Sequence, residues 1–306
     1  LRRRMIMRRR PLILAALLGT GVRATAQSAV HEVRAGGGRI EVQFDEGFEP
    51  QTIAAAMLWV QRAADTVSNF LGRLPLPRFE LVLQATSGHG VGGGVAFAEP
   101  QPYVRVRLGL QTRRDEFADD WVLVHEMMHL AVPRVPRPQR WLHEGIATYA
   151  EGAARVLAGT ISAAHWWGGL ARSMPHGLPQ PGDRGLDHTP TWGRTYWGGA
   201  LFCLLADVQM RCDGDVHRGL RQALQGVMAA GGSYAESWPV QRVLATADNA
   251  VAQHVLVPMY ARMRDQPQTV DLAALWRSLG VAAQGAAPAR LAADAALADV
   301  RRAIAA

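Results

Sequence analysis

The sequence has no lysine: all 33 of its basic residues are arginine, against 26 acidic residues. Basicity carried by arginine alone points to a GC-rich gene rather than to a function. Seven of those arginines, and no acid, fall within residues 1–26; the remaining 26 arginines balance the 26 acids, so the formal charge of +7 belongs to the leading segment. Without that segment no compositional case for a nucleic-acid partner is left. Cysteine is scarce as well, with only Cys203 and Cys212. On one helix their α-carbons would lie about 13.5 Å apart, beyond disulfide reach. Cys203 reads as a core residue, and no spacing suggests a cysteine metal site. Long apolar runs are missing too. The one over residues 11–22 is too short to span a bilayer, so no membrane span is expected in the mature chain. Internal repeats, heptads and nucleotide-binding loops are also lacking.

What is present begins with a basic stretch, the short apolar run and Ala24-Thr25-Ala26. That order reads as a secretory signal peptide with an A-x-A cleavage site, which makes the mature protein secreted or periplasmic. About 280 residues follow, enough for one large domain or for subdomains sharing a cleft. Period-two alternation predicts strands over 39–44, 79–83 and 103–108, and an amphipathic helix over 52–71 is closed by Gly72. A glycine-rich stretch over 92–99 lies between the last two strands. Beyond Glu151 the pattern is helical, over 161–173, 195–210, 216–229, 240–263, 271–279 and into the Ala-rich tail. The loop 175–192, with His176, Asp183, Asp187 and His188, reads as a solvated lid or a plain connector.

The chemistry is concentrated in residues 121–151. His125-Glu126-Met127-Met128-His129 has the form HExxH. Two histidines four apart on a helix project from one face, a spacing suited to two nitrogens on one zinc ion with Glu126 beside it as a general base. A helix is expected to open at Arg114-Asp115-Glu116 and to stop at Pro133. After a loop containing Pro133, Pro136 and Pro138, a second helix carries Trp141-Leu142-His143-Glu144-Gly145. Glu144 is placed to return to the metal as a third ligand. Two His, one Glu and an open fourth position make a catalytic zinc site rather than a structural one.

WLHEGIATYAE after HEMMH resembles the gluzincin metallopeptidases, including the aminopeptidase N and glycyl aminopeptidase families and the smaller bacterial peptidase MA-like proteins. In these a Trp-Leu-x-Glu-Gly segment carries the glutamate ligand. Fourteen residues separate His129 from Glu144, fewer than in aminopeptidase N, and His143 stands where the common form has Asn. The resemblance implies one zinc ion per chain on His125, His129 and Glu144, a peptide or protein substrate, and Glu126 as catalytic base. It also implies a thermolysin-like α+β fold: an N-terminal mixed β-sheet with helices, the HExxH helix pair, then a mostly helical C-terminal half. The expected divisions are 27–112, 113–158 and 159–306.

Within the same resemblance, Tyr196 and Gly199 match the outer positions of a Tyr-x-Lys-Gly segment whose tyrosine stabilises the oxyanion; Gly198 replaces the lysine. The 92–99 stretch falls where gluzincins have a cleft-edge strand that pairs with the substrate backbone. The Gly-x-Met-Glu-Asn amine anchor is missing, and Glu99 is the residue available to replace its glutamate. Two other readings stay open: a zinc-retaining peptide-binding or scaffold protein without turnover, and a zinc hydrolase of non-peptide amides or esters. The leading segment generates its own prediction. Intact-mass measurement of exported protein will show a chain starting at Gln27; a secreted product retaining residues 1–26 would contradict it.

Overall fold

A computed structural model describes residues 30–118 and 120–306; the expected signal peptide, residues 1–26, lies outside them. The strand β1 (His31–Ala35), which the sequence reading missed, turns tightly into β2 (Gly38–Phe44). The helix α1 (Pro50–Leu71) then crosses to β3 (Arg78–Thr86), followed by β4 (Val91–Phe97) and β5 (Tyr103–Gly109). Strand order is β1-β2-β3-β5-β4, with β2, β3 and β5 parallel and the outer strands antiparallel. The sheet is therefore mixed, and the glycine-rich β4 is an edge strand. Period-two burial fixes the register: Ile40, Val42 and Phe44, then Phe79, Leu81 and Leu83, then Val104, Val106 and Leu108 all point into the core. Slipping β3 by one residue would turn three large side chains to solvent, at about 1.5–3 kcal/mol each.

The buried face of α1 follows helical spacing through Ala56, Trp59, Val60, Ala63, Val67 and Phe70, and this helix packs on β1. The expected long helix from Arg114 divides. A 3-10 turn over Arg114–Phe117 is closed by the Glu116 carboxylate, which accepts the Arg113 N–H. The helix α2 (Val122–His129) starts afresh where Asp120 accepts the N–H groups of Val122 and Leu123 and the indole N–H of Trp59. All eight residues of α2 are buried, because it sits among β4, β5, α1 and α3 (Arg140–Leu157). Polar side chains on α2 are thus buried by the position of the whole helix, not by an amphipathic face.

The rest is mostly helical: α4 (Ala163–Ser173), α5 (Gly199–Asp213), α6 (Leu220–Ala229), α7 (Val240–Ala250), α8 (Leu256–Met263), α9 (Leu272–Leu279) and α10 (Ala298–Ile304). A short β6 (Val281–Ala282) and β7 (Arg290–Leu291) hairpin takes the first part of the tail, where helical spacing was expected; only α10 keeps it. The single helix expected over 240–263 is two, because buried Asp248 at the end of α7 accepts the N–H groups of Val255, Leu256 and Val257 and starts α8. Cys203 (buried) and Cys212 (exposed) both lie on α5, and both are free.

The loop 175–192 is largely exposed, as expected, but it is anchored at two carboxylates rather than being a plain connector. Asp187 accepts hydrogen bonds from Gln139, Trp141 and Tyr260, joining the loop to α3 and α8. Asp183 forms a 2.7 Å ion pair with Arg194 in which both side chains are buried. These carboxylates looked like surface charge only because their partners lie up to 73 residues away in sequence.

The contact that sets α3 against the start of α5 is made by backbone. A Cβ on Gly145 would lie 2.3 Å from the carbonyl carbon of Gly199, and one on Gly199 would lie 2.2 Å from the Trp141 oxygen. Overpacking of this kind costs about 1–3 kcal/mol, so Gly145→Ala will lower unfolding stability by that order. Gly169→Ala, on α4 with nothing within 4 Å of the added carbon, will raise it by about 0.5–1 kcal/mol. Denaturant titration of both variants checks the pair; equal stabilities would contradict the packing account.

Candidate metal centre

Because α2 is buried on all sides, His125 and His129 carry their imidazoles into a protein interior, one turn apart. The two rings lie 4.9 Å apart and nearly perpendicular. Glu144, on the second turn of α3, meets them: its Oε2 is 3.5 Å from His125 Nε2 and 3.5 Å from His129 Nε2. Among the described residues these three form the one group of potential ligands with donor atoms all within 4.8 Å of one another. Two ligands held at zinc's usual distance in a tetrahedron lie about 3.3–3.4 Å apart, so both His–Glu spacings of 3.5 Å fit that ion. Burial keeps His125 neutral by lowering its pKa. Burial alone would raise the Glu144 carboxyl, but hydrogen bonds with His125, His129 and Arg140 outweigh it and hold the group well below the usual range. A neutral imidazole and an ionised carboxylate are the forms a metal requires.

Glu126 stands apart from that group. Burial raises its pKa, partly offset by the nearby His129 and by the Ala96 N–H of β4. The strand can come this close because residue 94 is glycine: a Cβ there would lie 2.5 Å from Glu126 Cγ. The glycine run therefore has a steric purpose at one position, to seat an edge strand against the carboxylate between the histidines.

Arg140 and Tyr196 complete the inner surroundings. One turn before Glu144, Arg140 donates to its Oε1 from Nη2 at 3.0 Å and Nε at 3.2 Å. Tyr196 lies in a π-helical turn over Arg194–Gly198, placed by the Gly145–Gly199 contact. Its ring is 6.4 Å from His125 and almost parallel to it, with the hydroxyl beside the Arg140 guanidinium. Burial raises the Tyr196 hydroxyl pKa, so it remains a proton donor at neutral pH.

The other sequence candidates separate clearly. His143 is no ligand: its Nε2–H donates to the Pro133 carbonyl at 2.7 Å, and burial pushes its pKa down to about 4. It ties α3 to the loop that leaves α2. Exposed His89 pairs with Glu116 and exposed His188 with Asp265, away from the cleft. Glu99 does not line the cleft; it is 80 % exposed and lies 3.4 Å from Arg134.

The donors open onto a cleft of about 1010 Å³, walled by β4 from Val91 to Ala96, Trp121, the loop carrying Arg134 and Arg137, Tyr196 and Tyr234. Four of these linings escaped sequence reasoning. Trp121, an apolar position of the expected helix, is 49 % exposed and stands edge-on to His125. Its place four residues before His125, on the ligand face, was the available signal. Tyr234 packs edge-on to His143, and its N–H donates to the Leu130 carbonyl; no local motif marks it. Arg134 and Arg137 belong to no motif that the sequence shows.

No family model matches the sequence, and no curated protein matches it either. Solved structures do. An aminopeptidase N family protein from Idiomarina loihiensis superposes with a TM-score of 0.59 at 14% identity, over 83% of this chain and 49% of that one. A two-domain M1 zinc metallopeptidase bound to L-tryptophan gives 0.52 at 16% identity, over 80% and 52%. The M1 zinc metallopeptidase from Deinococcus radiodurans gives 0.50 at 16% identity, over 80% and 52%. The chain spans about half the length of each. Its α+β fold, with a mixed N-terminal sheet and a mostly helical remainder, resembles that of the M1 zinc aminopeptidase N family.

Proposed function

We propose that the chain is a secreted or periplasmic zinc-dependent peptidase with a thermolysin-like arrangement, the sheet-bearing part and the helical part flanking the cleft. The observation that carries this reading is the convergence of His125, His129 and Glu144 in a cleft that also holds Glu126 and Tyr196. The edge strand β4 favours a peptide over other amides and esters, because its outer backbone groups suit an extended chain.

His125, His129 and Glu144 would hold the metal, and Arg140 fixes the carboxylate from behind by engaging the oxygen turned away from the histidines. A zinc ion in this position supplies Lewis acidity. Glu126 takes a proton from the attacking water and passes it to the nitrogen of the departing amine. Its burial, which raises the carboxyl pKa, moves it toward the range where one group serves as base and then as acid. Tyr196 donates its hydroxyl proton in a hydrogen bond to the oxyanion that forms at the scissile carbonyl. β4 aligns the peptide and, through the Ala96 N–H, orients the Glu126 carboxylate.

Two predictions follow from these roles. Elemental analysis will find one zinc per chain, lost in His129→Ala and retained in His188→Ala. Zinc retained at the parent level in the His129 variant would show that the wrong donors were chosen.

The second separates chemistry from metal holding. Glu126→Gln will keep zinc while kcat on a cleaved peptide falls about 10²–10⁴-fold. Tyr196→Phe will lose roughly 10²-fold or more, also with zinc intact. Gly94→Ala, which drives a carbon into Glu126, will cost on the order of 10²-fold, as a misplacement of about 1 Å does. A Glu126→Gln variant as fast as the parent would overturn the mechanism. Zinc without any cleavage in the parent would favour a peptide-binding protein.

A further inference from the structure

The charge on the cleft walls is one-sided. The acids among the lining residues are Glu126 and Glu144, and both are engaged: Glu144 with His125, His129 and Arg140, Glu126 with the Ala96 N–H. No carboxylate among the described lining residues is left for a substrate amine. Three arginines line the same space, Arg134, Arg137 and Arg140. Arg140 is committed to Glu144, whereas the other two have capacity to spare.

Arg137 is exposed and makes no ion pair or side-chain hydrogen bond among the described residues. Arg134 has its Nε shut off from solvent with no acceptor among the described residues, and its one ionic contact is Glu99 at 3.4 Å. Pairs as exposed as that one contribute little and yield readily to a better partner. Both arginines sit on the stretch between His129 and Glu144, next to the donor group by chain connectivity.

That stretch is held in shape. The Arg134 N–H donates to the Glu236 carbonyl and the Arg134 carbonyl accepts the Trp238 N–H, while His143 binds the Pro133 carbonyl. On the far side of Arg137, the Gln139 side chain is fixed by Asp187. Guanidinium groups on a fixed backbone offer paired donors that match a carboxylate in plane and spacing.

We infer that the cleft selects peptides carrying a carboxylate close to the scissile bond, gripped by Arg137 and Arg134. The carboxylate is an acidic side chain or the free C-terminus of a short peptide. The inference names a substrate class for the peptidase reading above and rests on it. It separates this chain from an enzyme that anchors a substrate amine on carboxylates.

The test is calorimetric binding to the full, zinc-loaded chain carrying Glu126→Gln, which holds a peptide without turning it over. Four N-acetylated peptides of equal length are compared: a central Glu with an amidated C-terminus, Gln with the amide, Gln with a free C-terminal carboxylate, and Arg with the amide. At least one carboxylate peptide will bind about tenfold or more tightly than the Gln amide, as expected for a charge-assisted pair, and which one identifies the source. The preference will weaken with added salt. It will shrink to less than threefold in a chain also carrying Arg134→Gln and Arg137→Gln, with zinc content and circular dichroism as fold controls. Should that chain misfold, Arg137→Gln alone will reduce the preference.

Equal or tighter binding of the Gln or Arg amide, or no peptide binding, would overturn the inference. So would a preference that survives in the folded arginine variants. The peptidase reading is judged separately, by cleavage with the parent chain. Carboxylate-selective binding without cleavage would sink that reading alone, and cleavage blind to the carboxylate would sink only this inference.

Discussion

Two imidazoles and a carboxylate buried side by side are the constraint around which this molecule is arranged. Burying polar groups without partners costs several kcal/mol. Hydrogen bonds among the three satisfy part of that demand, and His125 Nδ1 still has no acceptor among the described residues. A shared cation is the simplest complement to three donors gathered this closely. The rest of the site supports that centre: Arg140 behind Glu144, and His143 tying the returning loop to α3.

Close approaches at glycine achieve the assembly. Two places where a single added methyl would collide bring separate elements to the donors. Gly94 lets an edge strand lie against Glu126, and Gly145 with Gly199 lets the π-helical turn carry Tyr196 to the rim of the cleft. At Gly145 and Gly199 the facing atoms are backbone and cannot yield, whereas at Gly94 the strand lies against the Glu126 side chain itself. The loop over 175–192 adds to this rigidity, since Asp183 and Asp187 fasten it to the Arg194 turn and to the start of α3.

How much of this was legible depended on how far each partner lies along the chain. The histidine spacing and the Trp-Leu-x-Glu-Gly segment are local, so the donor set could be named from sequence. The strands at 39–44, 79–83 and 103–108 showed themselves through alternation that burial enforces. The single helix expected over 240–263 broke because one buried Asp248 offered three hydrogen bonds to a second helix start, a tertiary gain that propensity does not register. Tyr234 reaches the cleft from 105 residues beyond His129 with no motif to announce it. The arginines of the 133–139 loop belong to no motif, and only the fold shows them lining the same space as the donors.

The central claim is that α2 and α3 build one zinc centre from nitrogen and oxygen donors with a position left open. X-ray absorption at the zinc edge of the metal-loaded chain tests it most directly. The account predicts a four-coordinate shell of nitrogen and oxygen at about 2.0–2.2 Å, with outer-shell scattering from two imidazoles. A shell containing sulfur at about 2.3 Å, more than two imidazoles, or zinc bound far below one ion per chain would contradict it.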